Sequence, residues 1–173
     1  MSLIQFQDLP STSTPINAAN LNNNFNELNG KLAATIALTS SATITVSTAY
    51  GYSRIPLNNI KEQKNSSGIV SVSQNGSITI NKTGWYLVSG VASCRSTNTN
   101  NTIITTIYAT SEQLGEAYRV ATGKTEAINI SPHIVYLTSG QQIWFSVSGS
   151  ATGDITVSGS SNGRFTYVNI VEL

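Results

Sequence analysis

From about residue 42 onward the sequence alternates apolar and polar residues with a period of two, and no helical period interrupts it. Thr43-Ile44-Thr45-Val46-Ser47, Gly68-Ile69-Val70-Ser71-Val72 and Ser77-Ile78-Thr79-Ile80 alternate cleanly. Stronger strand signals follow at Trp85–Cys94, Thr102–Ala109, Ala127–Leu137, Gln142–Ser148, Ile155–Ser158 and Arg164–Val171. Turn-forming clusters separate them: Asn75-Gly76, Lys82-Thr83-Gly84, Thr97-Asn98-Thr99-Asn100-Asn101, Ser139-Gly140 and Ser161-Asn162-Gly163. Short strands at this spacing predict an antiparallel β-sandwich or barrel, so the chain reads as mainly β. No internal repeat is visible, which argues against solenoids and propellers.

One upstream segment has a different grammar. Thr14 suits an N-cap and Pro15 the first helical position, where its missing N–H costs nothing. Leu21, Phe25, Leu28 and Leu32 then recur at spacings of four, three and four, with Ala18 one step upstream, as in a coiled-coil seam. The other positions are rich in Asn, a poor helix former. Such a helix is marginal alone and needs a partner along its stripe. Either it packs on its own β domain, or it self-associates; the strict spacing and narrow stripe favour self-association. Gly30 and the β-branched Thr35 and Ile36 mark where it frays or stops. The expected organisation is a lead over 1–13, a coiled-coil helix over 14–36, a linker and first strand over 37–51, and a β head over 52–173.

The chemistry is defined by scarcity. Charged residues make up 10% of the chain, against about 25% in an ordinary soluble domain. Ser, Thr and Asn take their place. A net charge of +1 with scattered basic residues predicts no nucleic-acid partner. No apolar run is long enough for a membrane span, and Met1–Phe6 lack the pattern of a signal peptide, so synthesis in a cytoplasm is expected. Cys94 stands alone, which precludes an intrachain disulfide and suggests a small buried strand residue.

Catalysis requires convergent titratable groups, and none is apparent. His133 is the sole histidine and reads as a structural strand residue. Glu112 and Glu116 form the one close carboxylate pair and read as a solvated loop. There is no G-x-S-x-G elbow or phosphate loop. We therefore expect no enzyme activity, catalytic residue, cofactor or metal. What remains is a binding surface on three expected loops, 95–102, 111–123 and 148–154. Arg95, Asn98, Asn100, Tyr118, Arg119 and Asp154 are the candidate ligand contacts, suited to sugar hydroxyls. The plainer alternative is that these are solubilising turns.

Three segments in order resemble the complement globular-head and tumour-necrosis-factor-like jelly rolls. Ser77–Val88 is similar to the family's strand, turn and "G-x-Y" strand; Ile134–Phe145 to its penultimate "leucine, turn, glycine, V-W" segment; Arg164–Val171 to its closing strand. The resemblance spans about 52–173 and implies a jelly-roll sandwich that trimerises about the closing strand. Phe165, Tyr167 and Ile170 would then lie at the trimer interface with Leu21, Phe25, Leu28 and Leu32. The alternative is a central strand inside a monomer. Gln141 and Gln142 replace residues that are often acidic in the family, so the calcium site of some relatives is not expected.

Leu9–Asn22 resembles the "T-P-(I/L)-N-A-x-N-L-N" opening of many tailed-phage tail-tip and fibre proteins, with Ala19 where an acidic residue is common. That resemblance implies a virion structural protein whose N-terminus docks on other virion proteins and whose head binds a host-surface saccharide. The alternative is a capsid head fibre or decoration protein without essential receptor binding. A complement-like lectin outside any virus, and a polysaccharide depolymerase, rank below both.

Overall fold

The protein, seen in a computed structural model, is described over residues 33–63 and 68–173. The lead and the seam residues Leu21, Phe25, Leu28 and Leu32 lie outside that range. Thirteen strands occur among the described residues. They are β1 (Ala33–Ala37), β2 (Ala42–Val46), β3 (Ser53–Arg54), β4 (Asn59–Gln63), β5 (Val70–Val72), β6 (Ser77–Ile80) and β7 (Gly84–Ser96). After these come β8 (Thr102–Ala109), β9 (Glu112–Val120), β10 (Glu126–Leu137), β11 (Gln142–Gly149), β12 (Gly153–Val157) and β13 (Tyr167–Glu172).

They form two antiparallel sheets. The first runs β2-β12-β7-β13-β1-β4, with β10 on the other side of β7; the second runs β5-β6-β11-β8-β9, with β3 also on β11. The long β7 organises the first sheet. It pairs with β10 along one edge and, along the other, with β13 through Tyr86–Val91 and β12 through Cys94–Ser96. The period of two in the sequence becomes an inside and an outside. Ile36, Leu38, Tyr86, Val88, Val168 and Ile170 from the first sheet bury against Ile78, Ile80, Ile107, Phe145 and Val147 from the second. Tyr86 can be buried because its hydroxyl donates to the Lys82 carbonyl at 2.6 Å.

The Asn75-Gly76 turn works as its sequence predicts. Gly76 has φ +79°, and a Cβ there would come within 2.2 Å of the Ile55 carbonyl oxygen, so only glycine fits.

Three expectations are corrected. Residues 33–36, expected to be helical, instead form part of β1, whose Thr35 and Ile36 pair with Asn169 and Val168 of β13. β-branched residues at this point favour a strand laid on the sheet. The head therefore begins at β1 rather than at residue 52, because Ile36, Leu38, Ile44 and Val46 are part of its core. Finally, 111–123 is not a loop: β9 occupies most of it, paired with β8.

Candidate functional site

The outer face of the first sheet is divided in two by the alternation on β7. Trp85, Leu87, Ser89 and Val91 point outward, between the buried Tyr86, Val88, Gly90 and Ala92. Leu87 stands opposite Ile134 on β10 and opposite Val171 on β13. Trp85 stands opposite Tyr136, and Val91 opposite Tyr167. Trp85, Ile134 and Tyr136 are 55%, 59% and 51% exposed, an apolar patch no other described residue covers.

Beyond Val91 the same face turns polar. Arg95 is paired across the ladder with Thr156 of β12, and Asp154 with Thr45 of β2. Arg95 and Asp154, with Thr43, Thr97 and Thr156, line a shallow hollow of about 320 Å³. The Asp154 carboxylate is oriented by the Thr45 hydroxyl, which donates to Oδ1 at 2.7 Å. The Arg95 guanidinium is fixed by its Nε, which donates to the Gly123 carbonyl at 2.8 Å. One held cation, one held anion and a row of hydroxyls can exchange hydrogen bonds with a polyhydroxylated ligand.

Of the six residues singled out from sequence, the fold thus brings two into one hollow. Asn98 and Asn100 lie beside it in the β7–β8 turn, where the Asn98 side chain accepts from the Asn100 N–H at 3.1 Å. The buried Asn101 ties this turn to the β11–β12 turn, its Oδ1 accepting from the Ala151 N–H at 3.1 Å. Tyr118 and Arg119 are elsewhere, exposed on β9 of the second sheet. Among the interface residues, Tyr167 faces outward and Phe165 is half exposed just before β13. Ile170 is not at the surface at all. It is fully buried in the sandwich core, because it shares the inward parity of Val168; Val171 takes the outward place.

Sequence reasoning missed a second cluster, on the outer face of the second sheet. Trp144 stacks on Tyr108 with centroids 5.8 Å apart, and Tyr52 meets Tyr108 edge-on at 5.4 Å. The Arg54 guanidinium lies 5.1 Å from the centroid of Trp144. Glu116 Oε2 accepts from the hydroxyls of Tyr52 and Thr106, each at 3.3 Å. Burial, then the hydrogen bond with Tyr52 and the Glu116 charge, push the Tyr108 hydroxyl up to about 12. The signal was partial: Ile104, Thr106 and Tyr108 share one face of β8, where Ile104 and Tyr108 are part-buried and Thr106 is covered. Only the register across three strands brings the rings together.

Cys94 is buried, as its solitary place in a strand suggested. His133 is exposed on β10, just past a bulge. Among the described residues no group of three or more His, Cys, Asp or Glu is placed to hold a metal ion.

No protein-family model and no curated protein matches the sequence. Solved structures do match the fold. Eiger TNF from S. frugiperda superposes with a TM-score of 0.62 at 14% identity, over 83% of this chain and 92% of that one. Murine APRIL, crystallised at pH 8.0, gives 0.58 at 12% identity over 83% and 99%. At such identities the likeness is one of fold: the head is a TNF-like jelly roll.

Proposed function

We propose that this chain is the non-catalytic, homotrimeric head of a bacteriophage fibre or tail-tip protein that binds a saccharide on the host surface. The observation that carries this reading is the divided outer face of the first sheet. A jelly roll in water gains nothing by exposing Trp85, Leu87, Ile134 and Tyr136 together. Copies of the chain packed about that patch bury it, closing into a ring as a symmetric assembly does. The hydroxyl-lined hollow at Arg95 and Asp154 then remains at the rim for a sugar. The virion assignment comes from the opening segment Leu9–Asn22, and the helix seam would set the register of the three chains.

The test is competition. Purified chain added to host cells should block phage adsorption, and its mass in solution should be that of three copies. Protein that neither binds cells nor blocks adsorption sinks the receptor-binding reading. Immunogold label on the capsid instead of the tail would favour a head fibre or decoration protein.

A further inference from the structure

The aromatic cluster on the second sheet has no part in the reading above. Tyr52, Tyr108, Tyr118 and Trp144 are four of the chain's seven Tyr and two Trp, and all lie on one outer face. The fold does not call for them there, since Ile107, Phe145 and Val147 already fill the inward side of the same strands. Tyr52 and Tyr118 are 48% and 71% exposed, so those two rings are open to solvent, while Tyr108 and Trp144 are part-buried beside them.

The polar groups around the rings are held in place. Glu116 Oε2 accepts from Tyr52 and Thr106, and also from the Gln113 side chain at 3.5 Å. Arg54 is held against Trp144. The cluster's one cation and one anion offset each other, so it gives no net attraction to a charged ligand. Next to Trp144 is an open hollow of about 540 Å³, lined by amide and hydroxyl groups including Gln141, Gln142 and Thr110.

Aromatic rings, fixed hydrogen-bonding groups and no net charge together match one ligand chemistry. The C–H faces of a sugar ring are apolar and slightly positive, so they stack on aromatic electron clouds, while the hydroxyls pair with carboxylate, guanidinium and amide groups. We propose that this face is a second binding surface, which takes a neutral oligosaccharide laid across Tyr52, Tyr108 and Trp144 with one end in the Gln141–Gln142 hollow. The inference rests on the saccharide-binding reading of the head and adds a site to it.

The experiment is calorimetric titration of the full chain with neutral tetrasaccharides (cellotetraose, maltotetraose and chitotetraose), with a sialylated oligosaccharide as the charged comparison. A neutral tetrasaccharide should bind, and Tyr52→Ala and Glu116→Gln should each weaken it at least about ten-fold. Both changes are on the surface, and an unaltered circular dichroism spectrum would show that the fold is kept. Binding that survives both substitutions, a preference for the sialylated sugar, or no binding by any neutral tetrasaccharide would overturn the proposal. Binding lost in Arg95→Ala but kept in Tyr52→Ala would overturn this second surface alone, leaving the hollow of the first sheet as the receptor site.

Discussion

Trp85 on β7 and Tyr136 on β10 stand directly opposite each other and meet edge-to-face, with ring centroids 5.3 Å apart and planes at 64°. The pair stabilises its own ladder, yet about half of each ring remains open. Large rings so placed are typical anchors of a protein interface.

Trp85→Glu should therefore convert a trimer into monomers while the sandwich stays folded, because residue 85 lies outside the core. Light scattering coupled to size exclusion measures the mass, and circular dichroism the fold. A chain that is already monomeric before substitution would remove the self-association reading.

The polar hollow leads to a separate expectation. Arg95→Ala and Asp154→Asn should each reduce binding to host cells by about ten-fold or more, with melting temperatures within a few degrees of the parent, since both side chains are exposed. Fluorescently labelled protein on host cells gives the readout.

Alkaline pH should destabilise the fold. Burial pushes the Cys94 thiol from 9.0 to about 12, and the Tyr108 hydroxyl is raised from 10.0 to about 12. Both folded values lie above the unfolded ones, so the stability they contribute is complete below pH 9 and is lost as pH rises through about 12. Urea midpoints measured across that interval should fall. Native Cys94 should also resist iodoacetamide until the chain unfolds. Rapid alkylation of the folded protein would contradict its burial.

Asn101→Ala should loosen one end of the sandwich. It would remove the acceptor for the Ala151 N–H and Ser150 hydroxyl, both bonded to Asn101 Oδ1. We expect a loss of about 1–3 kcal/mol, seen as a lower urea midpoint, with faster amide exchange in residues 97–101 and 149–152.

How much of this was legible in the sequence depended on the scale of the signal. The alternating segment Ser77–Ile80 forms β6 with the same bounds, because a period of two already implies a strand with one face turned to the core. β1, β3, β4 and β9 were not read. β3 is two residues long, and β9 is interrupted by a bulge opposite Ile107 and Tyr108, which breaks its alternation. Arg95 and Asp154 were both singled out as loop residues, yet each lies on a strand, and only the β7–β12 pairing puts them in one hollow. Ile170 shows the opposite limit. A strand apolar on both faces reveals that both are covered, but its absolute parity comes from the partner strands.

The position of β13 between β1 and β7 has a consequence for biosynthesis. Residues 33–37 and 84–96 flank a gap that only residues 167–172 can fill. A nascent chain emerging from the ribosome must therefore hold its first sheet open until residue 172 is clear. Long-range closure of this kind is slow, so emergence of residues 167–172, rather than translation of the earlier strands, sets when the first sheet can close.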